Sequence, residues 1–314
     1  FGGNATPFRG ERHPIHGETA NATWKFESLD EQAGRACLHL SLRTQARPAR
    51  VDKRLYVMKG HNAVYCRHVV SGARGPMSVG HHAMVKFPDQ PGSGRISTSP
   101  FGHGQVFPQA AELPENRGYS MLKPGAVFKS LDQVPTVFGT ATDLSSYPAR
   151  RGYEDIVMLV SSLAACPIAA GAPFAWTAVT FAKERYVWFA LKDPHVLRST
   201  IFWISNGGRH YPPWNGRHVN VMGLEEVTSY FHPGLSESAQ PNPLSARGIP
   251  TFVRLEPARP LVVSYIVAVT PVPPGFDRVS AIEAQAQSVV LKSAAGLSVN
   301  VPLDVSFLHA PAMA

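Results

Sequence analysis

Short apolar runs with strand periodicity recur along the whole chain, and turn residues separate them. The run "ACLHLSLRT" (36–44) alternates apolar and polar residues, and "PLVVSYIVAVTPV" (260–272) is a longer apolar run typical of a buried strand. The 28 prolines and 26 glycines follow no fixed period and favour many turns over long helices. Helical periodicity is scarce, and the best helical candidate is the short stretch 279–289, "VSAIEAQAQSV". The pattern therefore predicts an all-β protein, with two large antiparallel sheets packed face to face.

The chain divides at no linker-like stretch, so we expect residues 1–314 to form a single domain. Hydrophobic residues make up 44% of the 314 residues, which is enough for a substantial core. Residues 88–125 differ from the rest because turn residues occur every few positions. A loop of this length is usually functional or acts as a lid, which is what we expect here.

The net charge of +8 does not by itself identify a partner. Lysine and arginine are scattered, and the densest cluster (43–54) has no RNA-binding signature around it, so we expect no nucleic-acid binding. Residues 156–182 contain no charge, yet Pro167, Gly171 and Pro173 interrupt them. Two buried strands joined by a turn fit this stretch better than a membrane helix, and we expect no membrane partner.

The three cysteines, Cys37, Cys66 and Cys166, are far apart in the sequence and form no CxxC pair. This spacing argues against a disulfide framework and favours a reducing compartment, so the expected localisation is cytoplasmic. The chain begins at Phe1 rather than Met, from which we expect that an upstream segment was processed or left out. The oligomeric state stays open.

Histidines occur next to predicted strands in two places. His16 precedes Gly17 and an alternating strand, and either binds a ligand or lies in water as a loop residue. His81 and His82 are adjacent in "SVGHHAMVKFP", so they point to opposite faces of a strand. A metal site on a strand would need histidines at i and i+2, so we expect no metal here and interpret one histidine as an acid–base or a structural group.

Paired carboxylates follow or precede apolar runs in two further places. Glu154 and Asp155 lead directly into an apolar strand, where one of them faces inward and needs a partner such as a nearby arginine. Glu225 and Glu226 follow "VMGL", so one should face water and the other should lie among apolar groups. Burial would raise the pKa of that second carboxyl and make it a candidate general base. Trp214, upstream, offers either a flat surface for a sugar ring or a core side chain.

Four segments, in this order, resemble those of the aldose 1-epimerase (galactose mutarotase) family. The similarity covers most of the chain from Phe8 to Phe307. Each motif is short, and the ordered set carries the resemblance. The segments are "PIHGETANATW" (14–24), "VVSGARGPMSVGHHAMVKFP" (69–88), "RGYEDIVML" (151–159) and "FWISNGGRHYPPWNGRHVNVMGLEEVT" (202–228).

The resemblance implies a galactose mutarotase-like β-supersandwich with an open cleft, and an enzyme that interconverts sugar anomers without a cofactor. By position, Glu225 would be the base that takes the proton of the anomeric hydroxyl. His82 would be the acid that protonates the ring oxygen, and His16 would bind the sugar. Either Glu154 or Asp155 would bind hydroxyl groups, and the motif does not choose between them.

The chain departs from the family pattern in three respects, one of which is that residues 88–125 match no part of that pattern. The arginine that family members carry upstream of "HG" is missing, so that only Arg9 and Arg12 remain as substitutes. The aromatic residues after the acid are replaced by "HAMV". These departures leave the substrate open, and an anionic sugar would be contacted by Arg12, Arg209 or Arg217.

Two alternative functions remain at this stage. One is a carbohydrate-binding protein of the same fold without turnover. The other is a sugar-cleaving enzyme, which would use Glu225 with Glu154 or Asp155 as its two carboxylates. In each case the partner is a sugar or a sugar derivative.

Overall fold

The computed structural model describes residues 6–311. Within these residues, helices are limited to α1 (Glu18–Asn21), α2 (Leu235–Ala239) and four short 3-10 helices at Pro114–Asn116, Leu163–Ala165, Ser245–Arg247 and Val305–Leu308. The strands are β1 (Lys25–Gln32), β2 (Arg35–Thr44), β3 (Ala49–Met58), β4 (Ala63–Ser71), β5 (Gly75–Met77), β6 (Val79–Lys86), β7 (Gly94–Thr98), β8 (Phe101–Val106), β9 (Val127–Phe128), β10 (Val134–Pro135), β11 (Ala141–Thr142), β12 (Ser146–Tyr147), β13 (Tyr153–Ser161), β14 (Ile168–Ala169), β15 (Ala172–Pro173), β16 (Ala175–Phe181), β17 (Tyr186–Lys192), β18 (Ser199–Asn206), β19 (Val221–Thr228), β20 (Val253–Leu255), β21 (Leu261–Pro271), β22 (Val279–Ala284), β23 (Ser288–Ser293) and β24 (Ser298–Pro302).

Two large antiparallel sheets form the body of the molecule. The first has nine strands in the order β1-β2-β3-β4-β21-β17-β16-β7-β12, and the second has six in the order β6-β19-β18-β13-β8-β9. The all-β class and the two packed sheets predicted from the sequence are confirmed.

The apolar core between the two sheets follows from strand alternation. Val157 and Leu159 of β13 and Phe202 of β18 pack there against Val179 and Phe181 of β16 in the other sheet. A second core lies on the far side of the nine-stranded sheet, where the three-stranded sheet β22-β23-β24 covers it. Each fully buried side chain of this size contributes about 1.5–3 kcal/mol relative to an exposed one.

The outer face of the six-stranded sheet is the face turned away from the nine-stranded sheet. Part of it is apolar, with Ile156, Met158 and Ile201 packed under Phe231 and Leu244 of the segment that follows β19. The other part carries ionisable and aromatic side chains.

The helix expected at 279–289 is wrong. Residues 279–284 form β22, and the stretch then turns into β23, with Ile282 opposite Leu291. Burial of Val279 and Ile282 against the nine-stranded sheet outweighs the local preference of the alanines and glutamine for a helix.

Residues 88–125 are also more regular than expected, because β7 and β8 lie within them, one in each large sheet. Among the glycines in this segment, Gly94 lies at the start of β7 and Gly104 inside β8. A Cβ on Gly94 would lie 2.3 Å from the Phe87 ring, and one on Gly104 would lie 2.5 Å from the Phe128 ring. Glycine at these positions makes room for an aromatic ring rather than for a turn.

The uncharged stretch 156–182 crosses between the two sheets. Its first part lies in β13 and its last part in β16, which forms a hairpin with the next strand, β17. Between residues 6 and 311, no helix has the length and apolar character needed to span a bilayer.

Candidate active site

Four neighbouring strands, β6, β19, β18 and β13, carry the polar part of the outer face. The register places His82 of β6 opposite Glu225 of β19. Two residues before Glu225 on β19, Gly223 lies opposite Trp203 of β18. Ser205 of β18 then lies opposite Glu154 of β13. Because alternate residues of a strand share a face, these side chains project to the same side.

His82 and Glu225 are in direct contact, with 3.2 Å between His82 Nε2 and Glu225 Oε1. Glu225 is only 4% exposed, while the imidazole is partly accessible. Gly223 makes this approach possible, since a Cβ there would lie 2.8 Å from Glu225 Oε1 and 3.4 Å from His82 Cε1. A glycine two residues before the glutamate therefore leaves room for both side chains.

Burial drives both members of the pair towards their neutral forms. It raises the pKa of Glu225 to about 8. Burial, with a smaller contribution from the charge of His16, lowers the pKa of His82 to about 4. Between these values the pair holds one proton, on the carboxyl group, and the imidazole is neutral. This resting state differs from the one that the family resemblance implies, in which the carboxylate is the base.

Glu226 lies on the opposite face, between the sheets. Since both glutamates are buried, the expectation that one of them faces water is wrong. Glu226 is 1% exposed. It forms an ion pair with Lys192 of β17. It also accepts hydrogen bonds from Thr177 Oγ1 at 2.6 Å and Thr200 Oγ1 at 2.7 Å. Burying a carboxylate is costly unless it is paired and hydrogen-bonded, and these contacts give Glu226 a structural role.

Glu154 and Asp155 also face opposite ways. Glu154 is on the outer face and 1% exposed. Its carboxylate accepts hydrogen bonds from Ser205 Oγ at 2.9 Å, Gly208 N at 3.2 Å and Trp203 Nε1 at 3.3 Å. Burial nevertheless raises the pKa of Glu154 to about 7.

Asp155 is directed away from the outer face. Its carboxylate accepts hydrogen bonds from Met121 N at 3.2 Å and Leu122 N at 2.9 Å, and so fixes the end of the 88–125 segment. Burial raises the pKa of Asp155 to about 7. Of the two carboxylates that the sequence left open, Glu154 is therefore the one that shares a face with Glu225.

An arginine lies against two tryptophans beside Glu154. The Arg209 guanidinium carbon lies 5.1 Å from the Trp203 ring centroid and 4.9 Å from that of Trp214, which is cation–π geometry. Its Nε donates to Glu112 Oε1 at 2.6 Å and lies 3.8 Å from Glu154 Oε2. The 88–125 segment thus reaches this site through Glu112.

Two histidines contact the pair and the tryptophans, and a third is close enough to be affected by the charges of Arg209 and His16. His16 packs edge-on against His82, with 5.1 Å between ring centroids. His218 stacks on Trp203 at 5.5 Å, and its Nδ1 lies 2.6 Å from Ser205 Oγ. Burial, followed by the charges of Arg209 and His16, lowers the pKa of His232. The outer face therefore presents mostly neutral imidazoles.

Two arginines that the sequence suggested as substrate contacts lie outside this cluster. Arg12 and Arg217 are exposed, and within residues 6–311 no hydrogen bond or ion pair joins either of them to the side chains described above. Arg209 is the arginine that lies among the aromatic rings.

Sequence reasoning missed several members of the cluster. Trp203 and Ser205 could have been found, because they alternate on one strand in the stretch "FWIS". The Gly223-x-Glu225 spacing also carried a signal of close approach. Glu112 carried none, since its role depends on the path of residues 107–125 back to Arg209.

A separate group of metal-ligating side chains lies on the other face of β6, between the sheets. Cys66, His68 and His81 bring one sulfur and two nitrogen atoms to within 4.8 Å of one another. It shares no residue with the outer-face cluster.

Comparison with models of protein families and with curated proteins gives no match. Solved structures do match. One is a protein of Klebsiella pneumoniae provisionally described as an aldose 1-epimerase, with a TM-score of 0.53 and 14% identity over 83% of this chain and 58% of that one. Another, from Escherichia coli K12 and described in the same way, has a TM-score of 0.50 and 14% identity over 85% of this chain and 75% of that one.

A third match shows how widely the fold is used. A TPR-domain-containing protein of Parabacteroides distasonis has a TM-score of 0.50 and 8% identity, over 86% of this chain and 39% of that one. The present chain thus spans under two thirds of two of these three relatives. Identities this low show the fold alone. The chain has an aldose 1-epimerase-like fold, a galactose mutarotase-like β-sandwich of large antiparallel sheets.

Proposed function

We propose that this protein interconverts the anomers of an aldose or aldose derivative by acid–base catalysis at His82 and Glu225. The observation that carries the proposal is their 3.2 Å contact on the outer face. Mutarotation removes a proton from the anomeric hydroxyl and adds one to the ring oxygen. Both oxygens are bonded to the same carbon, so two catalytic groups in contact can reach them together.

The protonation state of the pair suits this exchange. Glu225 holds the proton and donates it to the ring oxygen as the ring carbon–oxygen bond breaks, while the neutral imidazole of His82 takes the proton of the anomeric hydroxyl. The pair is then a carboxylate beside an imidazolium. After the carbonyl group rotates, the same two transfers in reverse close the ring as the other anomer and restore the pair. No proton is gained or lost.

This assignment exchanges the roles that the family resemblance implies. A carboxylate base with an imidazolium acid holds the same number of protons, so the two schemes share one pH profile. Burial favours the neutral pair as the starting state, because it avoids two buried charges.

The surrounding residues support sugar binding. Trp203, Trp214 and His218 form a cluster of aromatic rings beside the pair, with 6.4 Å between the two tryptophan centroids. Aromatic faces pack against the C–H groups of sugar rings, while Glu154 and Arg209 offer polar contacts to hydroxyl groups. His16 is suited to hold a hydroxyl near His82.

The aromatic cluster also favours the alternative of a sugar-binding protein without turnover. A time course of proton NMR spectra on freshly dissolved single anomers separates the two. The panel consists of glucose, galactose and their 6-phosphates. Acceleration of anomer exchange supports the enzyme, whereas saturable line broadening without acceleration supports the binding protein. Preference for the phosphates would identify an anionic substrate.

A further inference from the structure

A thiol and two imidazoles converge between the two sheets, on the face of β6 opposite to His82. Cys66 and His68 are two residues apart on β4 and therefore share a face. His81 reaches them from β6 in the other sheet. The sulfur and the nitrogen atoms lie within 4.8 Å of one another, with 3.8 Å between Cys66 Sγ and His68 Nδ1.

These distances are close to those of a coordinated ion. Sulfur at about 2.3 Å and nitrogen at about 2.0 Å from one metal lie roughly 3.3–3.8 Å from each other. The cluster needs a small contraction to reach this geometry, and the i, i+2 spacing of Cys66 and His68 is the one that a strand site requires. The sequence expectation of no metal considered the adjacent pair of histidines, where the spacing is wrong, and overlooked Cys66 and His68.

The neighbourhood holds the His81 ring in place, and a cavity reaches His68 and His81. The His81 ring stacks on Tyr265, with 4.4 Å between centroids and 12° between planes. The buried Tyr265 hydroxyl has no hydrogen-bond partner among the residues that the structure describes. A cavity of about 130 Å³ borders His68 and His81 and gives an ion a path to the ligands.

The charges nearby decide which ion suits the cluster. A thiolate with two neutral imidazoles carries one negative charge, so a monovalent cation makes the buried site neutral and a divalent cation leaves it positive. Lys53 adds a positive field at Cys66, His68 and His81, and the charge of Glu226, opposite His81, is balanced by its ion pair with Lys192. Because a net buried charge is costly, the site disfavours a dication. Thiolate is also a soft ligand, which copper(I) prefers.

We propose that Cys66, His68 and His81 form a copper(I) site with one sulfur and two nitrogen ligands. Binding replaces the thiol proton with the metal: Cu⁺ and the Cys66 thiol give a copper–sulfur bond and release one proton. The copper keeps its oxidation state, so no oxidant or reductant is required. The site is independent of the proposed sugar chemistry.

The test is an anaerobic titration of the reduced full chain with copper(I) in competition with bicinchoninate. The wild-type protein should retain one equivalent, with a thiolate-to-copper absorption band in the near ultraviolet. Cys66→Ser should lower the affinity by more than about 100-fold, since it removes a direct ligand. Cys166→Ser changes another buried cysteine and should retain the metal.

His81→Gln provides a second variant should Cys66→Ser fail to fold, and circular dichroism checks each protein. X-ray absorption of the loaded wild type should give one sulfur and two nitrogen neighbours. The proposal is overturned if the wild type yields all its copper(I) to the competitor, or if Cys66→Ser and His81→Gln bind as well as the wild type. Tighter binding of zinc(II) than of copper(I) would also overturn it.

Discussion

His82 and Glu225 face each other across β6 and β19, with their side chains 3.2 Å apart, and their neighbours His81 and Glu226 occupy the adjacent register on the other face. A step of one residue along β6 and β19 therefore separates two buried polar environments, one on each face of the sheet. The pair on the outer face shares one proton and is open to solvent through His82. Glu226, on the inner face, is held by Lys192 and two threonines.

Glu226→Gln should reduce stability while leaving the chemistry of the outer face in place. The change removes the charge partner of Lys192, which is 1% exposed and cannot be solvated. Breaking such a buried pair costs about 3–5 kcal/mol of the free energy of unfolding. Urea denaturation measures the loss.

The matched control is Glu283→Gln, at the exposed Lys292–Glu283 pair with its 2.6 Å contact. Exposed pairs contribute about 0–1 kcal/mol. Equal losses in the two variants would contradict the structural role of Glu226.

Gly223→Ala should slow the reaction by disturbing the pair. The new methyl group would lie 2.8 Å from Glu225 Oε1 and 3.3 Å from Trp203 Cβ, so the carboxyl group must move. A shift of about 1 Å in a catalytic group can cost about 100-fold in rate, and we expect a fall in kcat of this order. Steady-state anomerisation kinetics measure it.

Gly102→Ala serves as the comparison, because its nearest neighbour would lie 4.0 Å from the added Cβ, at Ser162. This variant should keep the wild-type kcat. A Gly223→Ala protein with unchanged kcat would show that the position of Glu225 does not control the rate.

Raised carboxyl pKa values predict that stability falls as the pH rises through neutrality. The pKa of Glu225 is about 8 and that of Asp155 about 7, each above its unfolded value, so the folded state binds protons that the unfolded state has lost. The stabilisation that comes from holding these protons is fully present at low pH and is lost as the pH rises through the pKa values of the folded state.

Buried histidines act in the opposite direction at lower pH. The pKa of His82 is about 4 and that of His68 about 3, so stability rises with pH up to their unfolded value. Above that value the histidines no longer change the free energy of unfolding, and the carboxyl groups with raised pKa values determine how it varies with pH. The comparison is therefore made between about pH 6.5 and 8, where the histidine contribution has ended.

Glu225→Gln isolates the part due to one residue. Relative to this neutral variant, the wild-type free energy of unfolding should fall by about 1–2 kcal/mol over that range, at about 1.4 kcal/mol per pH unit. A constant difference between the two proteins would contradict the raised pKa of Glu225.

Trp214→Ala should weaken sugar binding with little effect on kcat. Trp214 lies 4.9 Å from the Arg209 guanidinium and contacts the rings of Trp203 and His218, so it belongs to the aromatic cluster. Losing one aromatic contact costs about 0.5–1.5 kcal/mol, or roughly a two- to tenfold rise in KM. Trp24→Ala is the control, since Trp24 lies near His68 of β4, in the nine-stranded sheet. A loss of kcat without a change in KM would remove Trp214 from substrate binding.

The sequence predicts the fold better than it predicts the site. Alternation and turn residues were sufficient for the sheets, because strand periodicity is a local signal. Alternation also places Glu225 and Glu226 on opposite faces, but it cannot reveal that both faces are buried. Lys192, which compensates Glu226, is 34 residues away in the other sheet. The links between Glu112 and Arg209, and between Cys66 and His81, likewise depend on long-range packing.

The most direct test of the central claim measures anomer exchange of an accepted sugar by wild type and Glu225→Gln at the same pH. Proton NMR follows the anomeric signals after a single anomer is dissolved. Glutamine keeps the shape of the side chain and cannot give up a proton as a carboxyl group does. The account predicts rapid exchange with the wild type and a rate near that of buffer with the folded variant. Equal acceleration by the two proteins would contradict it.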